Sequence, residues 1–217
     1  MGHFLDLKSW KRREHFELYR NFANPFFGVC AEVDVSELWR HCSDAAPGAS
    51  GGGAPSFFLA TVFLALRACN ETEAFRMRVR GDGVWLHDRV SITPTVLRPD
   101  ETFAFARLEP AETYAEFAAA SEPIIERARE IKPLVVSHPD DDLIYHSTLP
   151  WFRFTAFSNA LNGTADSVPR VVFGKRSQDG TRFKMPVGVE VHHAVVDGLD
   201  VARFLERFQT GLAEFRG

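Results

Sequence analysis

Residues 183–198 read FKMPVGVEVHHAVVDG, an alternating apolar run followed by two histidines and an Asp-Gly step. The alternation over Phe183–Val191 predicts a strand, because successive side chains of a strand point to opposite faces. Apolar residues then recur at helical spacing over Leu199–Phe215, which predicts a closing helix. A titratable base and a carboxylate therefore lie between a buried strand and an amphipathic helix.

Working outward from this stretch, hydrophobic periodicity predicts helices and strands in mixed order. The predicted helices are Ser9–Phe22, Ser36–His41, Ser56–Asn70 and Ala111–Lys132. The predicted strands are Phe27–Val35, a hairpin over Arg76–Leu86, Ser91–Val96, Thr102–Leu108, Trp151–Phe157 and Arg170–Phe173. A Gly-, Pro- and Ser-rich run, residues 45–55, is predicted to be a surface loop between two helices.

The order of these elements contains no regular β-α-β repeat, which excludes a Rossmann fold. It predicts the α+β class, a two-layer α/β sandwich with a mixed, largely antiparallel sheet flanked by helices. The chain has 217 residues and a hydrophobic content of 45%, which suits one folded domain over residues 1–217.

Composition limits the classes of partner and the cellular location that we expect for this protein. Lys and Arg total 25 against 29 Asp and Glu, a net charge of -4, and this balance disfavours nucleic-acid binding. Three cysteines without C-x-x-C spacing predict neither a disulfide framework nor a zinc site. The sequence contains no targeting segment and no apolar run long enough for a bilayer, so we expect a cytoplasmic protein with no membrane partner.

The paired histidines favour acid-base chemistry over metal binding. On a strand His193 shares a face with Val191, whereas His192 shares the other face with Glu190, so the two rings cannot easily hold one ion. No H-E-x-x-H or Cys/His set supplies the missing ligands. His193 is a candidate general base, because neutral imidazole accepts protons near pH 7. For an isolated histidine, a hydrogen-bonded core histidine is the favoured interpretation.

Several blocks resemble one known family over nearly the whole chain. They are Trp10–Phe16 (WKRREHF), 55–78 with Phe75-Arg76-Met77, Pro150-Trp151 with Phe154-Thr155 and Phe157, and Met185-Pro186 leading to His192-His193 and Asp197-Gly198. In these blocks and in length the chain resembles the chloramphenicol acetyltransferases, which move an acetyl group from acetyl-CoA to a hydroxyl of the antibiotic. The H-H-x-x-x-D-G motif alone is shared with other CoA-dependent acyltransferases.

The resemblance implies a homotrimer with its active sites at subunit interfaces and with acetyl-CoA and a small-molecule acceptor as substrates. It implies that His193 removes the acceptor proton, and that Asp197 pairs with Arg12 to fix the loop that carries His193. From the residues alone, Arg12 could equally be a solvated helix charge. The resemblance also implies an acceptor pocket lined by Tyr19, Phe27 and Phe103, although aromatic residues equally serve a core.

The chain departs from the family pattern at three positions. Arg153 stands at the position that the resemblance assigns to a serine that stabilises the oxyanion. Val172 stands where the family carries a threonine that orders a water. After Gly174, Lys175 and Arg176 are predicted to bind CoA. Arg176 replaces an aromatic residue near the CoA adenine and is predicted to meet the CoA phosphates through charge.

These departures leave three interpretations. The first is an acyltransferase for a hydroxyl or amine acceptor other than chloramphenicol, the second a degenerate trimer that binds without turnover, and the third a non-acyl acid-base enzyme. Alternation within the predicted strand Trp151–Phe157 puts Arg153 on the same face as Trp151 and Thr155. The resemblance implies that this face looks into the active site, where Arg153 would stabilise the oxyanion or bind an anionic acceptor. On this basis we expect weak or no acetylation of chloramphenicol, and a measurable gain in Arg153→Ser only if the rest of the pocket still fits the antibiotic.

Overall fold

The computed structural model describes residues 1–44, 55–130, 132, 134, 141–161 and 166–216. Within these residues the chain forms helices and strands in the order β1 Gly2–Phe4, α1 Arg13–Tyr19, β2 Phe26–Asp34, α2 Ser36–Asp44, α3 Phe57–Glu71, a 3-10 turn Glu73–Arg76, β3 Met77–Arg80, β4 Gly83–His87, β5 Ser91–Leu97, β6 Phe103–Phe105, α4 Tyr114–Glu130, β7 Leu143–Leu149, β8 Arg170–Gly174, β9 Ser177–Asp179, β10 Arg182–His192 and α5 Gly198–Glu214.

The main sheet has the strand order β2-β10-β8-β7-β5-β6, and β9 adds to β10 beside β8. The pairs β5–β7 and β7–β8 are parallel, and the remaining pairs of this sheet are antiparallel. A second, three-stranded sheet has the order β1-β4-β3. The mixed sheet and its helices confirm the predicted α+β sandwich.

Helices cover one face of the main sheet, which we call the helix face. Along β10 this face carries Val187 and Val189, both buried, and Phe173 of β8 stacks there on Phe208 of α5 at 5.3 Å between ring centroids. The opposite face carries Gly188 and Glu190, and we call it the open face because no helix lies on it among the described residues. The apolar core of the chain therefore lies between the helix face and the helices.

Local sequence explains where the two central helices begin. The side chain of Ser56 accepts a hydrogen bond from the backbone N–H of Leu59, and α3 is then buried nearly all round. Asp197 caps α5 in the same way, with its carboxylate accepting from the N–H groups of Leu199 and Asp200. The closing strand and helix are thus held on either side of residues 193–197.

The prediction of a strand over Trp151–Phe157 is wrong. These residues form an irregular segment across the open face, because both edges of β8 already pair with other strands, β7 and β10. Glycines let the segment approach closely: a Cβ at Gly174 would lie 2.9 Å from the Phe154 ring, and one at Gly188 would lie 3.3 Å from it. Alternation therefore does not determine the direction of Arg153.

Other predicted elements exist with different bounds. The first helix begins at Arg13 instead of Ser9, because turns anchored on the carbonyl of Asp6 occupy the preceding residues. The strand predicted over Thr102–Leu108 covers only Phe103–Phe105. Strands β1, β7 and β9 were not predicted, since they are short or carry several polar residues. Of the predicted loop 45–55, residues 45–54 lie outside the described residues.

No helix among the described residues combines the length and apolarity needed to cross a bilayer.

Candidate active site

His193 lies directly after β10 between two aromatic rings. Its imidazole stacks on Tyr19 with centroids 4.1 Å apart and planes inclined by 9°, and Phe27 flanks it at 4.6 Å. Its backbone N–H donates to the carbonyl of Pro25 at 2.8 Å. The structure therefore brings the predicted base together with two of the three predicted pocket aromatics.

The two ring nitrogens of His193 differ in access. Nδ1 is buried without a hydrogen-bond partner among the described residues, whereas Nε2 is neither buried nor engaged by any of them. Because the rings of Tyr19 and Phe27 fix the imidazole plane, Nε2 is directed outward in a defined orientation. This nitrogen is available to accept a proton from a bound hydroxyl or amine.

His192 lies on the opposite side of the chain and is fully buried. Its Nδ1 accepts from the backbone N–H of Ala194 at 3.2 Å, and the edge of its ring meets Phe26. Burial lowers the pKa of His192 to about 4, so the ring is neutral at physiological pH. The two histidines thus lie in different surroundings. No group of three potential metal ligands occurs within the described residues.

The predicted ion pair between Arg12 and Asp197 is confirmed. Asp200 extends it, with a carboxylate oxygen 3.5 Å from the same guanidinium nitrogen. Burial alone would raise the pKa of Asp197, but the Arg12 charge and the helix N–H groups outweigh it and lower that pKa. Burial and the neighbouring Asp197 charge raise the pKa of Asp200. Sequence reasoning missed this second carboxylate, although a carboxylate three residues after an N-cap is a recognisable capping signal.

The predicted donor-side residues lie at the other end of the sheet. The Arg176 guanidinium covers the Trp39 ring at 3.4 Å and the Phe183 ring at 4.7 Å, and burial lowers its pKa. Lys175 is exposed and donates its backbone N–H to the carbonyl of Phe152. Among the described residues neither cation has a carboxylate partner.

Arg153 is an exposed side chain paired with Glu32. Glu32 lies opposite Pro186 on β10, whereas His192 lies opposite Phe26. Six residues of strand separate the two positions, which is roughly 20 Å at the usual rise per residue. Within one chain Arg153 and His193 therefore do not belong to one site.

Val172 is buried on the open face, in register with Gly188 of β10 and Ser147 of β7. Ser147 and Thr95 of β5 bring their hydroxyl oxygens within 3.0 Å of each other beside it. Sequence reasoning missed both hydroxyls, because it did not predict β7.

Phe103 lies on β6, the outermost strand at this edge, and is 47% exposed. It faces the same side as Thr95 and contacts Phe105 at 5.4 Å between centroids. The predicted site residues thus form two groups in one chain: His193, Tyr19, Phe27, Arg12 and Asp197 at one end of β10, and Val172, Lys175, Arg176, Arg153 and Phe103 away from it.

Comparison with known proteins shows what this arrangement is similar to. The model of the family described as "Chloramphenicol acetyltransferase" matches residues 3–209 of this chain. Chloramphenicol acetyltransferase 3 of Escherichia coli is 30% identical over 94% of this chain and 93% of its own length. The chloramphenicol acetyltransferase of Streptomyces acrimycini is 30% identical over 97% and 94% of the two chains. A solved chloramphenicol acetyltransferase superposes with a TM-score of 0.87 at 25% identity, covering 98% of this chain and all of its own.

Proposed function

The chain belongs to the chloramphenicol acetyltransferase family, and on this premise we propose that it transfers the acetyl group of acetyl-CoA to a hydroxyl or amine of a small molecule. The observation that carries the proposal is the accessible Nε2 of His193, held between Tyr19 and Phe27. Because acetyl-CoA is a cytoplasmic metabolite, we infer that the protein works in the cytoplasm.

In the proposed reaction Nε2 of His193 takes the proton of the acceptor as the acceptor atom attacks the thioester carbonyl. A tetrahedral intermediate forms, and its oxygen carries the negative charge. The C–S bond then breaks, and the leaving thiolate receives the proton from the imidazolium. The products are the acetylated acceptor and CoA, and His193 returns to its neutral form.

The negative oxygen requires a hydrogen-bond donor. Ser147 and Thr95 fit this requirement, since their mutual bond uses one of two hydroxyl protons and leaves the other for a substrate. The competing assignment is Arg153, either at the oxyanion or against an anionic acceptor. In that case its guanidinium must exchange Glu32 for the ligand, a step that the Ser147 assignment does not need.

We infer that the active site is completed by a second copy of the chain. The support is distance: Ser147 lies two strands and about five residues away from His193, roughly 20 Å at normal sheet spacings. The open face also exposes Leu97 (53%) and Phe103 (47%), an apolar surface suited to a partner. A homotrimer of single-domain subunits, residues 1–217 each, would bring one chain's hydroxyls to the next chain's histidine.

Light scattering tests this assembly. Three chains of 24.4 kDa predict a particle of about 73 kDa. A monomer at micromolar concentration would contradict a shared site.

The residues at the other end fit the acyl donor. Lys175 and Arg176 are adjacent cations without carboxylate partners among the described residues, which suits the phosphates of CoA. The Trp39 and Phe183 rings hold the Arg176 guanidinium in place, so its binding geometry is set before the donor arrives. Bound acetyl-CoA supplies the thioester that is cleaved.

The alternatives are a trimer that binds without turnover and an enzyme that uses His193 for non-acyl chemistry. Thiol release from acetyl-CoA, measured with a panel of hydroxyl and amine acceptors that includes chloramphenicol, separates them from the proposal. We expect acceptor-dependent release, and we expect His193→Ala to lower it by about 10²–10⁴-fold, the usual contribution of a general base.

His3→Ala, at an exposed histidine on β1, is the matched control and should retain the wild-type rate. Activity of His193→Ala within a few-fold of wild type would make His193 a structural residue. Binding of acetyl-CoA without thiol release for any acceptor would favour the degenerate trimer.

A further inference from the structure

The loop that carries His193 depends on two side chains. Residues 193–197 have five backbone N–H groups, and each has an acceptor. His193 donates to Pro25, and Val195 and Val196 both donate to the carbonyl of His192. Side chains accept the other two: Nδ1 of His192 accepts from Ala194, and the carboxylate of Asp200 accepts from Asp197 at 3.1 Å.

Asp197 cannot fasten the end of this loop by itself. Its carboxylate is directed forward, to the N–H groups of Leu199 and Asp200, and sideways, to Arg12. Its own N–H requires an acceptor from the next turn of α5, and Asp200 supplies that acceptor. The bond from Asp200 back to Asp197 therefore connects the end of the loop to the helix.

The position of Asp200 also carries an electrostatic cost. Its side chain is 15% exposed, and it shares the Arg12 guanidinium with Asp197, so two carboxylates lie beside one cation. Further charged residues line a cavity of about 260 Å³ beside it: Lys11 before α1, Glu71 at the end of α3, Glu73 in the 3-10 turn, and Arg203 and Arg207 on α5. Only Arg203, at 3.8 Å, forms a further described ion pair with Asp200.

We propose that Asp200 is a positioning residue for the acyl transfer: its carboxylate locks the end of the 193–197 loop and Arg12, and so holds His193 in the orientation that its base function needs. This inference rests on the proposed function, because it assigns Asp200 a part in presenting the same base. His193 touches the substrate, and Asp200 acts through the loop.

Three variants test the proposal. Asp200→Ala removes both the N–H acceptor and the charge, and Asp200→Asn keeps an acceptor oxygen. Val201→Ala is a control that removes buried volume from the same helix and keeps the two side chains that accept from the loop, His192 and Asp200. We expect Asp200→Ala to lower kcat about 10–100-fold with KM within a few-fold, because small misplacement of a reacting group has effects of that size. Asp200→Asn should recover most of the rate.

Comparison with Val201→Ala separates positioning from general destabilisation. At matched loss of thermal stability, kcat should fall in Asp200→Ala and stay near wild type in Val201→Ala. Asp200→Ala with kcat within twofold of wild type would overturn the proposal, and so would equal losses of kcat in the two variants.

A second measurement does not depend on acetyl transfer. Diethyl pyrocarbonate modifies accessible neutral imidazoles, and peptide mass spectrometry gives the rate at His193 relative to the exposed His15. We expect that ratio to change at least threefold in Asp200→Ala and to stay unchanged in Val201→Ala. A changed ratio without any thiol release by wild type would support the loop role while rejecting the proposed function. An unchanged ratio would reject the loop role.

Discussion

His193 and His192 are the same residue type in different surroundings, and the surroundings make only His193 available to a substrate. His192 is fully buried, and its Nδ1 accepts a hydrogen bond from the backbone N–H of Ala194. Burial lowers its pKa to about 4. His193 is half-buried between two rings and keeps Nε2 accessible. A similar contrast separates Arg153, exposed and paired with Glu32, from Ser147, half-buried beside Thr95. At the scale of the residue, environment selects the role.

Ser147→Ala and Arg153→Ser distinguish the two candidates for the oxyanion donor. We expect Ser147→Ala to lower kcat on the order of 10²-fold, the usual effect of losing one such donor. Arg153→Ser should change kcat little, because Arg153 already has Glu32 as its partner. Steady-state kinetics with acetyl-CoA and the best acceptor, and with chloramphenicol, measure both.

The opposite pattern would assign the role to Arg153. A gain of chloramphenicol acetylation in Arg153→Ser, as the sequence departures predict, would show that Arg153 controls the acceptor. Efficient acetylation of chloramphenicol by the unmodified protein would exclude that control.

At the scale of the element, the irregular segment 151–161 connects the two ends of the open face. The carbonyl of Phe152 accepts from Lys175 near the proposed donor end, and Asn159 donates to the Glu190 carboxylate near His192. Phe154 lies between these points, on the backbone of Gly174. Glycine in the strand is required there because a ring lies directly on the sheet.

Gly174→Ala should therefore destabilise the fold. The added Cβ would lie 2.6 Å from Pro186 Cγ and 2.9 Å from the Phe154 ring, so the segment must move. We expect the free energy of unfolding to fall by about 1–3 kcal/mol, as overpacking generally causes. Gly198→Ala is the matched control, because its added Cβ would meet no atom within 4 Å outside its chain neighbours and its own helix backbone; it should change the free energy of unfolding by less than about 0.5 kcal/mol. Urea unfolding compares the two, and equal midpoints would show that the contact is not restrictive.

At the scale of the whole molecule, buried histidines make stability depend on pH. Burial lowers the pKa of His146 to about 3 and that of His192 to about 4, whereas histidine in an unfolded chain titrates near pH 6.5. Between about pH 4 and 6.5 the unfolded chain binds more protons than the folded chain, so stability falls as the pH is lowered. Each histidine should remove on the order of 2 kcal/mol between pH 8 and pH 5.

His146→Gln isolates one of these contributions. The amide can still reach Thr148, the hydrogen-bond partner of the imidazole, but it does not titrate. Between pH 8 and pH 5 the unfolding free energy of His146→Gln should decrease less than that of wild type. The difference should be about half of the decrease that His146 and His192 cause together. Urea titration at each pH measures it. An unchanged decrease would mean that the folded state already accommodates a charged His146.

The sequence by itself determined the α+β class and most elements, because periodicity and capping residues are local properties. Through the family resemblance the sequence implied the ion pair of Arg12 with Asp197, which no local pattern shows because 185 positions separate the two residues. It also indicated His193 as the base, and family membership supports that chemistry. Only the tertiary structure decided that residues 151–157 cross the open face, that Ser147 and Thr95 meet, and that Asp200 shares Arg12. The reason is that each of these depends on which strands are neighbours: β8 has both edges occupied, and β5 pairs with β7 across about fifty residues of chain. Such pairings are set by the packing of the whole sheet, which no local pattern encodes.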